Sequence, residues 1–300
     1  MLLESRNHVS ALSGGCARLA WSLLAVAIAL VVAGDTPAEA QVACIPRQHH
    51  AWGRFHPGSW AQVRKISEEF DEQGKLTSVS TTETKTTLVE VRNTGCTLRV
   101  EVTVEVGGRR VTAQPRMVVL GYMGQGSGER AIIRTRGTKT LTVGGKSIPC
   151  QVLEVTINRS AEKTLSTFYY SDSQPPFVLK RQTRSTDPEG NVEHSRTSMD
   201  VIAVDMPYRV LAEVKTVAFL RTVKTHPGGS IHTLEVYCAD VPGGVVAHSS
   251  KELDAKGRII RRNTLELVDY GVVDRRRGLG RGRWFFRRGR LTGDSNAPKP

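Results

Sequence analysis

The chain has 300 residues, a formal net charge of +13 and 39% hydrophobic residues, and only 6% of its residues are aromatic. A chain of this length can bury a core of its own and does not need disulfides to fold, and it allows one large domain or two smaller ones. Its many Val and Thr residues favour strands over helices.

Residues 1–40 are predicted to be a signal peptide. Arg6 and Arg18 are followed by an uncharged apolar run, Leu19–Ala33, of 15 residues. A membrane-spanning helix needs roughly 20. Gly34–Pro37 ends the run, and Ala38-Glu39-Ala40 has the small-x-small pattern of a signal peptidase site. We expect cleavage after residue 40 and export to the periplasm, cell envelope or extracellular space, with an uncleaved membrane anchor as the alternative.

The body of the chain, from residue 41 to residue 273, has the alternation of a half-buried sheet. Apolar residues stand at every second position from Leu98 to Val106, with polar or charged residues between them. The segment Leu153–Ile157 repeats this pattern. Such alternation indicates strands with one buried face, as is typical of antiparallel sheets.

Three segments share the turn pattern Asp-x-x-Gly, followed two places later by an apolar residue. The Asp side chain caps the turn, and Gly adopts the left-handed conformation that starts the second strand in register. These predicted hairpin turns are Asp71/Gly74, Asp187/Gly190 and Asp254/Gly257.

Two of these hairpins lie within a longer predicted repeat. A shift of 67 residues overlays Tyr170 on Tyr237, Pro175 on Pro242, Val178 on Val245, Val192 on Ile259, Thr197 on Thr264 and Val201 on Val268, together with both turns. Matches at one offset indicate a duplicated supersecondary unit.

We therefore predict an all-β fold of antiparallel hairpins in a curved sheet, either a half-barrel or a sandwich. Residues 41–130 are expected to form one lobe, and residues 131–273 a second lobe that contains both repeats. The glycine-rich stretch Met123–Glu129 is the predicted flexible joint. The stretch Tyr208–Val223 also fits a helix by pattern, but the repeat matches it to 141–156, which has the pattern of a strand.

Four cysteines remain after the predicted cleavage, and an even number in an oxidising compartment suggests two disulfides. Of the three possible pairings, we expect Cys44 with Cys96 and Cys150 with Cys238. The alternative is four buried free thiols.

A short resemblance to a known family supports the curved sheet. The run from Tyr169 to Arg181, followed by Asp187-Pro188-Glu189-Gly190, resembles the strand pair of periplasmic lipoprotein carriers and related lipid-binding half-barrels. The likeness covers residues 169–190 and returns weakly at 236–257. The resemblance implies a curved sheet and, in that family, an apolar cavity. The helices over the barrel mouth of that family have no visible counterpart in this sequence.

No catalytic, cofactor-binding or metal-binding set is predicted, and no cofactor is expected. The stretch 124–128 lacks the Lys-Ser/Thr pair of a phosphate loop, so it is interpreted as a linker. His49, His50 and His56 lack the spacing and the companion ligands of a metal site, and we expect them to be solvated or loosely packed.

The C-terminal tail, residues 274–300, is predicted to be disordered and to bind anions. It holds eight Arg and one Lys against two Asp, a net charge of +7. Arginine pairs with phosphate or carboxylate, and aromatic rings insert at membrane interfaces. The candidate residues are Arg275, Arg276, Arg277, Arg281, Arg283, Trp284, Phe285, Phe286, Arg287, Arg288 and Arg290.

Three functions remain open from the sequence. The first is an exported, non-enzymatic envelope protein whose sheet binds an apolar ligand or a partner protein. The second is a structural or surface protein held to an anionic lipid or polymer by its tail. The third is an enzyme whose site is assembled from scattered residues. No nucleic-acid partner is expected, because export separates the protein from the nucleic acids of the cell.

Overall fold

The computed structural model describes residues 44–274, and their regular structure is almost entirely β. One 3-10 turn, Arg47–His49, precedes the strands. The strands are β1 (Trp60–Phe70), β2 (Leu76–Val91), β3 (Gly95–Val106), β4 (Arg109–Thr112), β5 (Arg116–Gly121), β6 (Ala131–Val143), β7 (Lys146–Asn158), β8 (Lys163–Tyr170), β9 (Val178–Thr186), β10 (Glu193–Val210), β11 (Glu213–His226), β12 (Gly229–Tyr237), β13 (Val245–Asp254) and β14 (Ile259–Gly271). The predicted signal peptide and the arginines and aromatics of the predicted tail lie outside the described residues.

All fourteen strands belong to one antiparallel sheet, which confirms the predicted fold class. The order across it is β4-β3-β2-β1-β14-β13-β12-β11-β10-β9-β8-β7-β6, and β5 pairs with β3 beside β4. The sheet is curved and unclosed, with β6 at one edge and β4 and β5 at the other. One open curved sheet corresponds to the half-barrel alternative of the prediction.

The predicted boundary near residue 130 lies in the connection from β5 to β6. Because β1 pairs with β14, both predicted lobes contribute strands to the same sheet. The connection is held by hydrogen bonds: the Gly126 amide donates to Glu129 Oε2 over 2.7 Å, and Arg159 Nε donates to Glu129 Oε1 over 2.7 Å. These contacts join residues 126–129 to the residue that follows β7, and the flexible joint stays a prediction.

The stretch with a helical pattern, residues 208–223, lies in β10 and β11. The 67-residue repeat stays a prediction. Tyr170 and Tyr237 each end a strand, and Val178 and Val245 each begin one.

The three Asp-x-x-Gly segments are tight turns between β1 and β2, β9 and β10, and β13 and β14. In the last of them, Asp254 Oδ1 accepts hydrogen bonds from the amides of Lys256 and Arg258, each over 2.9 Å. Gly74, Gly190 and Gly257 have φ of 78°, 87° and 80°, in the left-handed region that glycine adopts without steric cost.

The chain before β1, residues 44–59, packs against one face of the sheet. We call this stretch the N-terminal segment and the face that it covers the inner face. Ile45 belongs to an apolar cluster with residues of β7 and β8, and Ala51 packs against a second cluster that includes Leu179 and Leu220. Trp52 packs against a third cluster, and Phe55 is part of a fourth with residues of β2 and β3. One short stretch of chain therefore contacts all four apolar clusters.

The four cysteines of the described chain are free thiols, which differs from the predicted disulfides. Cys44 is exposed, and Cys96, Cys150 and Cys238 are buried. Cys150 and Cys238 lie in different apolar clusters, which accounts for the absence of a bond between them. Cys44 and Cys96 line one cavity of about 490 Å³ without being bonded.

Replacing Gly257 by alanine tests the turn geometry. No atom lies within 4 Å of the added Cβ, so the cost comes from the backbone conformation alone. We expect the free energy of unfolding to fall by about 1–2 kcal/mol in a denaturant titration. Gly126→Ala is the matched control, because its φ lies outside the left-handed region and its nearest neighbour is 3.4 Å away. Equal losses in the two variants would contradict the turn assignment.

Alkylation followed by peptide mapping tests the state of the thiols. We expect modification of Cys44 in the native protein, and of Cys96, Cys150 and Cys238 only after unfolding, because burial shields them. Burial also raises the pKa of Cys96 to about 11, which keeps its thiol protonated and unreactive at neutral pH. A disulfide-linked peptide joining any two of the four would contradict this expectation.

Candidate functional site

The inner face carries an unusual set of side chains beyond the part that the N-terminal segment covers. Residues directly opposite each other on neighbouring strands share a face. Leu220, whose cluster packs against Ala51, is opposite Glu235 on β12, and Glu235 is opposite His248 on β13. The row continues through Leu265 to Lys65 on β1. The inner face thus bears three titratable side chains in one cross-strand row.

Hydrogen bonds fix the N-terminal segment over one end of this face. The Gly243 amide donates to the Ala51 carbonyl, and Arg54 Nη1 donates to the Ala239 carbonyl, both over 3.0 Å. At the end of the segment, the Leu88 amide donates to the Ser59 carbonyl over 2.8 Å. A side chain at Gly243 would meet the Trp52 ring at 2.8 Å, so glycine there permits the close approach.

Two histidines of the segment make defined contacts, which differs from the expectation that they are solvated or loosely packed. The His49 ring stacks on Phe177, with centroids 4.1 Å apart, and its Nδ1 lies 2.6 Å from the Tyr170 hydroxyl. His50 Nδ1 accepts hydrogen bonds from the amides of Trp52 and Gly53, over 3.2 and 3.3 Å. Burial lowers the pKa of His50 to about 4, so this ring is neutral at neutral pH.

A cavity of about 340 Å³ lies between the N-terminal segment and the inner face. Ligand pockets in proteins span roughly 300–1,000 Å³ and are lined by apolar side chains with a few polar groups. Apolar side chains that line this cavity are Ile45, Leu120, Met123, Phe168, Val178, Met199 and Leu220. Two histidines, one arginine and one glutamate also line it: His49, His50, Arg181 and Glu235.

Arg181 and Glu235 face this cavity without a charged partner. Within residues 44–274, the guanidinium of Arg181 makes no ion pair or hydrogen bond, and its charge lies 5.8 Å from the centroid of the Phe168 ring. Although Arg181 keeps a solvent-exposed surface in the open cavity, the surrounding protein lowers its pKa by desolvation. Desolvation likewise raises the pKa of the half-buried Glu235.

Some arginines of the outer face pair with carboxylates. Arg64 pairs with Glu83 at 3.0 Å, and on β9 itself Arg184 pairs with Glu193 at 2.7 Å. Unpaired charges are costly where water is partly excluded, so charges that stay unpaired there mark candidate functional positions. Arg181 stands out by this contrast with Arg184 on the same strand.

A second cross-strand row, made of hydroxyl and amide side chains, crosses the inner face. It lies two residues farther from the N-terminal segment than the row that contains Glu235 and His248. We call it the hydroxyl row; its members, in cross-strand order, are Thr222, Thr233, Ser250, Asn263, Ser67 and Ser80. Ser67 Oγ donates to Asn263 Oδ1 over 2.8 Å, and Asn263 Nδ2 donates to Ser250 Oγ over 3.1 Å. The inner face therefore changes from apolar to charged to hydroxyl-bearing along the strands.

The residues singled out from the sequence do not assemble into this site. Asp71, Asp187 and Asp254 lie in turns, and residues 275–300 lie outside the described chain. Within residues 44–274, no three His, Cys, Asp or Glu side chains are grouped closely enough to hold a metal ion. In the same range no helix is both long and apolar enough to cross a bilayer.

Sequence reasoning missed Arg181, Glu235, His248 and Lys65 because strand alternation assigns charged residues to the solvent side. Burial lowers the pKa of His248, and the positive charge of Lys65 lowers it further. The available signal was the inverted alternation of β12, where Leu234 is 55% exposed and its neighbour Glu235 faces inward.

The pH dependence of stability tests the packing of His50. Its folded pKa is lowered to about 4 from 6.5, so the neutral ring stabilises the fold fully above pH 6.5. This stabilisation is lost as the pH falls from 6.5 towards 4, with a total of about 3 kcal/mol. Denaturant titrations across this range should show a smaller loss in His50→Asn, whereas His226→Asn in the β11–β12 turn serves as the control. Identical pH profiles for wild type and His50→Asn would contradict the burial of a neutral ring.

No protein-family model matches the chain, and no curated protein matches it. Among solved structures, a candidate lipoprotein from Parabacteroides distasonis is similar with 11% identity and a TM-score of 0.31, covering 74% of this chain and 98% of that one. A candidate exported protein with a YmcC-like fold from Bacteroides fragilis is similar with 12% identity and a TM-score of 0.29, covering 72% of this chain and 97% of that one. Likeness at this level carries neither a function nor a location over to this chain.

Proposed function

We propose that this chain is an exported, non-enzymatic β protein of the cell envelope that binds an apolar ligand on the inner face of its sheet. The observation that carries the proposal is the cavity of about 340 Å³ between the N-terminal segment and the inner face. Its volume and its apolar lining with a few polar groups are typical of small-molecule sites.

Export is the part of the proposal that rests on the sequence. The apolar run at 19–33 and the small-x-small pattern at 38–40 favour a cleaved signal peptide. Cleavage after Ala40 would leave a few residues ahead of the segment that covers the cavity.

The N-terminal segment forms one wall of the proposed site. Ile45, His49, His50 and Ala51 line one side of the cavity, and residues of β8 to β12 together with residues 120–124 line the rest. The segment is held by a limited number of hydrogen bonds and by side-chain packing, and it has only one 3-10 turn of regular structure. A ligand that enters beneath it needs no rearrangement of the sheet.

The chemistry near the cavity favours binding over catalysis. Glu235 and His248 are cross-strand partners, but no hydrogen bond joins their side chains in the described part of the chain. A nucleophilic mechanism needs a nucleophile within hydrogen-bond reach of a base. The half-buried acid and histidine lie on neighbouring strands without that arrangement.

Fluorescence titration with N-phenyl-1-naphthylamine, an uncharged apolar probe, tests the proposal. We expect the probe to bind the wild-type protein and to bind at least about tenfold more weakly to Met199→Trp, because the larger ring fills the cavity. Ile202→Trp is the matched control, since Ile202 lies on the same strand and is 45% exposed.

Circular dichroism of each variant establishes that the sheet is retained. Native mass spectrometry after mild purification provides a second readout. A bound ligand is expected to give a mass above that of the processed chain. A wild-type protein that binds no probe, or a folded Met199→Trp that binds it as well as wild type, would overturn the proposed site.

A further inference from the structure

We infer that the ligand of the inner-face cavity is an amphiphile whose anionic group, a carboxylate or a phosphate, pairs with the guanidinium of Arg181. This inference rests on the proposed function and names the chemical class of the ligand. It is carried by one juxtaposition, an unpaired guanidinium on the wall of an apolar cavity.

The position of Arg181 gives the first part of the argument. On β9, Arg181 is opposite Phe168 of β8 and Met199 of β10, and all three side chains line the cavity. Its charge is thus presented among apolar side chains, where an opposite charge is worth more than in water. Guanidinium groups bind carboxylate and phosphate in bidentate geometry, which makes either group a suitable partner.

Two other arginines of the sheet show the alternative arrangement, in which the guanidinium pairs with a carboxylate. Arg184, three residues along the same strand, pairs with Glu193 at 2.7 Å on the outer face. Arg136 near the edge of the sheet pairs with Glu154. The acid that reaches the same cavity, Glu235, is on β12 and does not pair with Arg181 within residues 44–274. The guanidinium is therefore available to a ligand.

The polarity of the inner face indicates where the alkyl chain and the head group of the ligand would lie. Apolar side chains of the N-terminal segment, β8 and β9, namely Ile45, Phe168 and Val178, line the cavity and belong to or pack against one apolar cluster, which would accommodate an alkyl chain. Through Met199, Arg181 lies in the same cross-strand row as Thr222 of the hydroxyl row. One row farther from the N-terminal segment, Thr183 on β9 and Ser166 on β8 are joined by a hydrogen bond of 2.9 Å. Hydroxyl groups at that end can bind a polar head group. The alkyl chain of an amphiphile would therefore contact apolar side chains, and its head group would contact polar ones.

Displacement of N-phenyl-1-naphthylamine from the full processed protein tests the inference, with four competitors. They are dodecanoate, its uncharged methyl ester, dodecyl phosphate and inorganic phosphate. We expect the wild-type protein to bind dodecanoate and dodecyl phosphate roughly tenfold or more tightly than the methyl ester, because a hydrogen bond to a charged group adds affinity of that size. Inorganic phosphate alone is expected to displace no probe.

Arg181→Gln is expected to lose this preference while it still binds the methyl ester and the probe. Arg184→Gln, which removes an equal charge from the outer face of the same strand, should keep the preference. Glu235→Gln removes a negative charge that faces the cavity, and we expect it to bind dodecanoate more tightly than wild type does.

The outcomes separate this inference from the proposed function. If wild type binds the ester and the acid equally well, or if Arg181→Gln keeps the preference, the anionic ligand is wrong and the apolar site stands. If inorganic phosphate competes as well as dodecyl phosphate, the site takes a free anion and the amphiphile is wrong. If neither the probe nor any competitor binds, the proposed function itself fails.

Discussion

The packing of residues 44–59 against the inner face is the interaction on which the rest of this structure depends. A curved open sheet leaves its concave apolar side exposed to water unless another part of the chain covers it. Here one short segment contacts four apolar clusters, through Ile45, Ala51, Trp52 and Phe55. The hydrogen bonds to Gly243 and Ala239 set its position, and the space left beneath it is the cavity.

The side chains of the inner face change in polarity along the strands. Near the N-terminal segment it is apolar and contributes to the core, whereas farther along it carries Arg181, Glu235 and the hydroxyl row. Stability alone favours apolar side chains on a covered face. We propose that this half-covered face, where Arg181 and Glu235 have no charged partner within residues 44–274, binds a ligand, and that the four apolar clusters offset the cost of the unpaired charges.

The sequence predicted the fold class well because the physics behind it is local. Alternation from Leu98 to Val106 appears as β3, and the glycines of the Asp-x-x-Gly segments have the positive φ that such turns require. The site was not predicted, because alternation indicates that two faces differ but not which face will be covered. Ser166 is 7% exposed while its neighbour Leu165 is 39% exposed, the reverse of what hydrophobicity alone indicates. The histidines of the N-terminal segment were likewise misjudged, since their partners, such as Phe177, are distant in sequence.

By itself, the sequence determined that this chain forms antiparallel strands and where several of its hairpins reverse, because backbone conformation at Gly and Asp and the two-residue period act between near neighbours. Only the tertiary structure decided that β1 pairs with β14, that residues 44–59 cover the inner face, and that Arg181 faces a cavity without a charged partner. Those features arise from contacts between residues far apart in the chain. Such contacts depend on the register and curvature of the whole sheet, which no local pattern encodes.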